Sequence, residues 1–233
     1  EELFACTTCG ACVSNCPVFI EHVDTIVDLR RYLVLTEADM PPELGRTFKN
    51  IENSSNPWGV SNTKRAEWAE GLDIPLMSEL DHTPEYLFWV GCAGSFDDRQ
   101  KKVTKAMAKI LRAAGVDFAI LGPEENCTGD PARRLGNEYL YWMQAQQNVE
   151  TLNAYDVTKI VTTCPHCFHT VGKEYPQLGG DYEVVHHTKL LNELLAAGRV
   201  QMGAGGDRTY TYHDSCYIGR WNEDTENPRG ALS

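Results

Sequence analysis

Short apolar runs alternate with amphipathic segments along the chain from Glu85 onward. The first run, Tyr86-Leu-Phe-Trp-Val90, is continuous, which is typical of a strand buried on both faces of a sheet. The segment from Asp97 to Ala114 has its apolar residues on one side and is followed by Gly115, which predicts an amphipathic helix. The same pattern predicts further strands at 116–121, 159–163, 182–185 and 209–212, and further helices at 130–153, 165–175 and 188–197.

This alternating order of strands and helices predicts an α/β fold built on a mostly parallel, open sheet with right-handed crossovers. The residues before it have a different pattern. The apolar residues of 23–35 recur at helical spacing and predict one helix, which Pro41-Pro42 ends. Residues 42–84 resemble a linker with two short helices, and we expect Trp58 and Trp68 to pack this linker against a neighbour.

The composition is that of an ordinary globular protein, with 42% hydrophobic and 23% charged residues among 233. The formal net charge of −12 repels phosphate backbones, so we expect no nucleic-acid partner. No apolar stretch approaches the roughly 18 residues of a membrane-spanning helix, and nothing resembles a signal peptide. We therefore expect a cytoplasmic protein. Because the chain starts at Glu1 rather than Met and stops at Ser233 in a polar stretch, we expect a piece of a longer one.

Nine cysteines carry the most specific information in the sequence. Their number is odd, several lie two residues apart, and the chain is too long for a disulfide-stapled scaffold, so cytosolic metal ligation is favoured. Cys6, Cys9, Cys12 and Cys16, followed by Pro17, have the C-x2-C-x2-C-x3-C-P spacing of bacterial ferredoxins. We therefore predict a [4Fe–4S] cluster in a small α-helical, ferredoxin-like domain.

Two points about this motif stay open. A zinc knuckle is the alternative, although zinc sites usually use two separated cysteine pairs. Cys16 either closes this cluster or, like the fourth cysteine of two-cluster ferredoxins, serves a second cluster. A motif for that second cluster would stand before Glu1, and the start of the chain at this residue favours the second possibility.

The remaining cysteines follow predicted strands. Cys92 follows the first strand, Cys127 the second, and Cys164 with Cys167 the third. The carboxyl ends of parallel strands meet at one edge of a sheet, so these four side chains should lie close together. The proline after Cys164 places this cysteine at a helix N-terminus, where free N–H groups favour a thiolate. We therefore predict a second metal centre; a thioredoxin-type redox pair or scattered structural cysteines are the alternatives.

The spacing Cys92-x34-Cys127-Thr-Gly, followed by Cys164-x2-Cys167, resembles the cysteine-rich CCG domain. That domain occurs in the B and D subunits of heterodisulfide reductase and in iron–sulfur subunits that serve glycolate, lactate and anaerobic glycerol-3-phosphate oxidation. A ferredoxin-like domain followed by CCG domains in one chain is similar to the D subunit of heterodisulfide reductase. The residues around Cys127 and Cys164 are closest to those of the relatives paired with electron-transferring flavoprotein.

The resemblance implies [4Fe–4S] clusters as cofactors and a flavoprotein as electron donor or acceptor. The other acceptor would be membrane quinone, reached through segments outside this chain, which would place the protein at the cytoplasmic face of the membrane. The implied ligands are the two sets of four cysteines, namely Cys6, Cys9, Cys12 and Cys16, and Cys92, Cys127, Cys164 and Cys167.

The chain departs from the family pattern at Thr128, which takes the place of the second cysteine of the Cys-Cys pair. The five cysteines of the methanogen enzyme hold a noncubane cluster that cleaves a disulfide, whereas four thiolates suit one [4Fe–4S] cubane by number.

The segment 210–216 repeats the order found at 86–92, in which a predicted strand is followed by a cysteine. Cys216 would therefore open a second site, for which this chain supplies no further ligands.

Histidines and arginines near the motifs have two interpretations each. His186 or His187 either donates a hydrogen bond to the cluster or helps to cap the helix that starts at Thr188. Arg133 and Arg134 offset cluster charge or meet an acidic partner on one interpretation, and form a solvated helix face on the other.

The leading prediction is an oxidoreductase component, an iron–sulfur subunit that transfers electrons between a flavoprotein and a quinone or other acceptor. The alternatives are a thiol/disulfide reductase of the heterodisulfide type, the iron–sulfur subunit of a glycolate, lactate or glycerol-3-phosphate dehydrogenase, and a zinc-stabilised interaction module. The predicted units are a ferredoxin-like domain at 1–40, a linker at 41–84, a CCG domain at 85–205 and an incomplete second CCG domain at 206–233.

Overall fold

A computed structural model describes residues 2–203 and 209–232 of the chain. The strands are β1 (Tyr86–Trp89), β2 (Phe118–Ala119), β3 (Lys159–Thr162) and β4 (Glu183–His186). They form one sheet in the order β2-β1-β3-β4, and every pairing is parallel. This arrangement confirms the predicted α/β class.

The strand order places a topological switch point between β1 and β3. The chain passes from β1 to β2 on one side, and then crosses to β3 and β4 on the other. In register, Leu87 pairs with Ile160 and Trp89 pairs with Thr162. Open α/β sheets bind ligands in the crevice beyond the carboxyl ends of the strands at such a switch point.

The predicted fifth strand at 209–212 is wrong. Residues 209–215 have no strand structure, and Tyr210 is 78% exposed. Alternating threonine and tyrosine give this segment a strand-like pattern, but a strand also needs a neighbouring edge to hydrogen-bond, and these residues lie at the surface without one. The predicted loop at 203–206 falls largely outside the described residues, as do Glu1 and Ser233.

The predicted helices lie near their predicted positions, with three differences. The helix predicted at 23–35 is α-helical to Tyr32 and then π-helical over Leu33–Glu37. The helix predicted at 130–153 is divided around Gly136, whose φ of +93° is left-handed and whose backbone lies against that of Arg30. The helix predicted at 165–175 begins as an α-helix and then widens into a π-helical turn over Thr170–Glu174. The α-helices are α1 (Glu2–Ala5), α2 (Ala11–Ser14), α3 (His22–Tyr32), α4 (Pro42–Ser54), α5 (Gly91–Phe96), α6 (Asp98–Ala113), α7 (Asp130–Arg134), α8 (Glu138–Ala154), α9 (Pro165–His169), α10 (His187–Ala196), α11 (Cys216–Gly219) and α12 (Glu226–Gly230).

Two hydrophobic cores cover the two faces of the sheet, as the continuous apolar run in β1 requires. Leu87 and Trp89 face a core that includes α4 and α8, whereas Phe88 faces a core that includes α6 and α10. Residues 41–84 contribute to both cores, and Trp68 is 2% exposed. This segment is therefore packed onto the sheet rather than extended as a loose linker. Among the described residues, no helix has the length and apolar character required to cross a bilayer.

Candidate metal centres

The loops after β1, β2 and β3 bring Cys92, Cys127, Cys164 and Cys167 to one cavity of about 290 Å³. Cys127 and Cys167 are buried and the other two are half-buried. The cavity lies at the switch point of the sheet, where the sequence predicts convergence. Four thiols around one space match the ligand number of a [4Fe–4S] cubane, so the residues present fit such a cluster.

Gly91 allows the loop after β1 to approach the cysteines that follow β3. Its φ is +76°, and a Cβ at this position would lie 3.3 Å from the sulfur of Cys167. A residue with a side chain would therefore be strained in its backbone and crowded against a candidate ligand.

The four thiols differ in acidity: the pKa values of Cys92 and Cys164 are lowered, and burial helps to raise those of Cys127 and Cys167. The pKa of Cys92 is lowered by a hydrogen bond from Cys127 and by the nearby Arg65. The pKa of Cys164 is lowered to about 7 by a hydrogen bond from the Cys167 thiol, assisted by the Cys167 backbone N–H, which lies 3.4 Å from the Cys164 sulfur. Cys164 is the N-cap residue of α9, as the sequence predicts, and the N–H groups of this helix terminus contribute less to its lowered pKa than the Cys167 thiol does.

Arg65 and Glu125 form a buried ion pair beside Cys92. Each side chain is 1% exposed, and Nη1 of Arg65 lies 3.8 Å from Oε1 of Glu125. The guanidinium also donates hydrogen bonds to the Cys92 sulfur and to the Glu125 carbonyl oxygen. The carboxylate accepts hydrogen bonds from the backbone N–H groups of Val90 at 2.9 Å and Gly91 at 2.8 Å. The pair therefore holds the loop that carries Cys92.

Sequence analysis missed both members of this pair. Arg65 lies in the segment that the sequence predicts to be a linker, and no motif there marks it. Glu125 stands two residues before Cys127, and this proximity is the only sequence signal for its position.

Three of the N-terminal cysteines lie in the turns between α1, α2 and α3, namely Cys6, Cys9 and Cys16, whereas Cys12 lies within α2. Gly10 has a φ of +72° between the second and third cysteines, and the Trp221 ring would lie 3.1 Å from a Cβ at this position. The N–H of Thr8 lies 3.4 Å from the sulfur of Cys6, and the N–H of Ile20 lies 3.3 Å from that of Cys16. Hydrogen bonds from backbone N–H groups, first that of Ile20, lower the pKa of Cys16.

Contacts between side chains do not join the N-terminal thiols into one group. Over residues 2–203 and 209–232, no set of three or more His, Cys, Asp or Glu side chains is arranged around a single ion position, either in the N-terminal motif or in the thiol cavity. The assignment of Cys6, Cys9, Cys12 and Cys16 to one cluster therefore continues to rest on their spacing.

Cys216 lies apart from the thiol cavity. It begins the short helix α11 and lines a separate cavity of about 280 Å³ with Asp214 and Ser215. Asp214 pairs with Arg229 at 2.6 Å, so this carboxylate has a local structural partner.

The arginines near Cys127 find their acidic partners within the chain. Arg133 lies 3.4 Å from Glu138 and 3.1 Å from Glu174, and Arg134 lies 3.0 Å from Asp130. Both guanidinium groups are mostly buried, so the expectation of a solvated helix face is wrong.

The two histidines at the end of β4 do not line the thiol cavity, and His186 is the N-cap residue of α10 without a side-chain cap hydrogen bond. Nδ1 of His186 instead lies 2.8 Å from the hydroxyl of Thr188, and Nε2 lies 3.1 Å from Nδ1 of His187. Burial lowers the pKa of His186 to about 4 and, together with His186, that of His187 to about 3.

Comparisons with known proteins agree with the motifs. A family model described as a cysteine-rich domain, CCG, matches residues 86–172. The whole chain is 46% identical to an EtfAB:quinone oxidoreductase of Syntrophomonas wolfei and 46% identical to a probable iron–sulfur-binding oxidoreductase, FadF, of Bacillus subtilis. It is 29% identical to the D subunit of a dihydromethanophenazine:CoB–CoM heterodisulfide reductase of Methanosarcina acetivorans. These matches confirm the resemblance drawn from the cysteine spacing.

The chain covers 33% of the Syntrophomonas protein, 34% of the Bacillus protein and 57% of the Methanosarcina protein. It therefore spans about a third of the length of the first two relatives. No solved structure matches the chain.

Proposed function

We propose that this chain is the iron–sulfur part of an oxidoreductase, which passes single electrons between a flavoprotein and a quinone or another acceptor. One observation carries the proposal: four cysteines from three separate strand ends line one cavity at the switch point of the sheet. The similarity to an EtfAB:quinone oxidoreductase supports the flavoprotein and the quinone as partners.

We infer one [4Fe–4S] cluster at the thiol cavity, held by Cys92, Cys127, Cys164 and Cys167. A second would be held by the N-terminal motif Cys6, Cys9, Cys12 and Cys16, with Cys16 serving either this cluster or another. When bound, each cluster supplies one-electron oxidation and reduction. The chain offsets the negative charge of the cavity thiolates with Arg65 and supplies N–H donors to sulfur.

We place the contact with quinone in parts of the full-length protein outside this chain, because the two relatives of highest identity among those above are about three times longer. On this proposal the chain works on the cytoplasmic side of the membrane. The direction of electron flow follows from the potentials of the two partners rather than from this chain alone.

Disulfide reduction is the second candidate function, and the similarity to the D subunit of heterodisulfide reductase favours it. Thr128 argues against it. Its side chain is 3% exposed at the cavity, where it offers a neutral hydroxyl, and this is a poor iron ligand compared with soft thiolates. We therefore expect an ordinary cubane that shuttles electrons.

Anaerobic purification tests the proposal, because the protein should be brown and contain iron and acid-labile sulfide. A colourless protein with stoichiometric zinc and no iron would overturn the proposal in favour of the zinc-stabilised module.

Electron paramagnetic resonance separates the two redox functions: a cubane signal on reduction supports electron transfer. A paramagnetic species that appears on oxidation with a thiol, and broadens with an isotopically labelled thiol sulfur, would establish disulfide chemistry instead.

A further inference from the structure

Tyr217 fills the space between the two sets of candidate ligands. This residue is 1% exposed, and its hydroxyl oxygen lies 2.8 Å from that of Thr8. Its ring packs against the His166 ring, with centroids 3.8 Å apart and planes inclined by 33°. Thr8 stands between Cys6 and Cys9 in the N-terminal motif, and His166 stands between the two cysteines that follow β3.

We propose that Tyr217 is the electron-transfer bridge between the two clusters, connected to one through Thr8 and to the other through His166. The inference rests on the proposed function, since it needs a cluster at each set of cysteines. Electron tunnelling decays less steeply along bonds, hydrogen bonds and packed rings than across empty space or loosely packed solvent. A buried residue in contact with both ligand loops therefore dominates the coupling between them.

The path is continuous at the N-terminal end. The backbone N–H of Thr8 points to the sulfur of Cys6 at 3.4 Å, and the side chain of the same threonine meets the Tyr217 hydroxyl. An electron that leaves the N-terminal ligand loop thus crosses one hydrogen bond before it reaches the aromatic ring.

The path is also held in place at the cavity end. Nδ1 of His166 lies 2.9 Å from a carboxylate oxygen of Asp130, and the same carboxyl group is bonded by Arg134 and Thr170. The Arg134 guanidinium in turn lies over the Tyr217 ring, 5.6 Å from its centroid. These contacts fix the imidazole against the tyrosine ring, so the coupling does not depend on a transient rotamer.

Two neighbouring contacts form weaker routes. Trp221 donates a hydrogen bond from Nε1 to the Thr8 carbonyl oxygen at 2.9 Å, and its ring makes an edge-to-face contact with His169 at 6.1 Å between centroids, but His169 does not line the thiol cavity. The Arg30 guanidinium donates hydrogen bonds to the carbonyl oxygens of Cys6 and Arg134. An electron path through Arg30 must then follow the backbone of α7 from Arg134 to reach the cavity thiols. Both routes hold the ligand loops together but are longer than the route through Tyr217.

The transfer step is a simple exchange. One electron leaves the reduced cluster at one end, and one electron enters the oxidised cluster at the other. No bond forms or breaks and no proton moves, because Tyr217 and His166 keep their electron count and act only as the medium.

The test uses the full chain with both clusters loaded. Tyr217→Phe keeps the ring against His166 but loses the hydroxyl contact, and Thr8→Val removes the same contact from the other side. Tyr217→Leu removes the ring as well. Tyr182→Phe is the matched control, since its buried hydroxyl lies 2.8 Å from Asn153 and contacts neither ligand loop.

Flash photoreduction followed by freeze-quench electron paramagnetic resonance measures the transfer rate, and spin coupling between the two reduced clusters gives a second readout. We expect the phenylalanine and valine variants to slow transfer severalfold and to weaken the coupling. We expect a larger loss in the leucine variant and no change in the control. The iron content and the midpoint potentials of the phenylalanine and valine variants should match those of the unmodified protein.

Unchanged rates and unchanged spin coupling in both Tyr217→Phe and Thr8→Val would overturn the bridge while leaving the proposed function intact. An unmodified chain that does not load two clusters would instead overturn the proposed function, and the two failures are therefore distinguishable. If Tyr217→Leu fails to fold, the two conservative variants still decide the question.

Discussion

Arg65 donates hydrogen bonds to the sulfur of Cys92, from Nη2 at 3.3 Å and from Nη1 at 3.6 Å. The same guanidinium pairs with Glu125, whose carboxylate binds the backbone N–H groups just before Cys92. One buried arginine therefore sets both the charge next to a candidate ligand and the position of the loop that carries it.

Replacing Arg65 by Gln should destabilise the protein and change its redox behaviour. Glu125 would be left as an uncompensated buried charge, which costs about 3–5 kcal/mol of the free energy of unfolding. Loss of a positive hydrogen-bond donor to sulfur should also lower the midpoint potential of the cavity cluster. Urea unfolding and a redox titration followed by electron paramagnetic resonance measure the two effects.

The double variant Arg65→Gln with Glu125→Gln is the control for this prediction. It should recover part of the lost stability because the buried charge is removed, while the lowered potential remains. A double variant as unstable as the single one would contradict the pairing, and an unchanged potential would contradict the effect on Cys92.

Replacing Cys127 by Ser should remove the cavity cluster and leave the N-terminal one, because the two sites share no ligand. Two cubanes contain about eight irons, so the iron content should fall to about four per chain. Cys216→Ser is the matched control, since this thiol lies outside the cavity and its loss should not change the iron content. A Cys127→Ser protein that retained all of its iron would contradict the ligand assignment.

Replacing Gly91 by Ala should lower both stability and cluster occupancy. The left-handed φ alone costs about 1 kcal/mol or more for a residue with a Cβ, and crowding against the Cys167 sulfur adds to this cost. Gly115→Ala is a matched control because its φ is +64° and a Cβ there meets no atom within 4 Å. Thermal unfolding and iron analysis should show a larger loss for Gly91→Ala, and equal losses would argue that Gly91 is needed only for its backbone.

The histidines at the end of β4 should make the protein less stable in mild acid. Their folded pKa values of about 4 and about 3 lie below the ordinary 6.5, so both side chains stay neutral in the fold. The unfolded chain takes up protons as the pH falls through 6.5. The free energy of unfolding is therefore highest above pH 6.5. At pH 5, each histidine lowers the free energy of unfolding by about 2 kcal/mol.

Urea unfolding of the protein and of its His187→Gln variant at pH 7.5 and pH 5 measures this loss. The variant should lose less stability on acidification than the unmodified protein. His213→Gln, at an exposed position, is the control for the loss of a histidine side chain. Parallel curves for the His187→Gln variant and the unmodified protein would show that His187 is not held neutral by the fold.

The strands and the cysteines could be predicted from the sequence because both leave local signals. Continuous apolar runs indicate β1 and β3, and helical spacing indicates α6 and α10. Parallel strands expose their carboxyl ends at one edge, so the order of elements alone places Cys92 and Cys164 near each other. The sequence alone could not exclude the fifth strand. The alternating residues at 209–212 fit a strand, but they do not indicate whether the edge of a neighbouring strand is available for pairing.

The fold class, the cysteine spacings and the kind of chemistry they suit follow from the amino-acid sequence alone, since these depend on periodicity and residue type. Three features emerge only from the packing of whole elements: Arg65 reaches Cys92, residues 41–84 form part of both cores, and Tyr217 lies between Thr8 and His166. These contacts join residues far apart in the chain. No local pattern of residues encodes which buried arginine or tyrosine will reach a given loop.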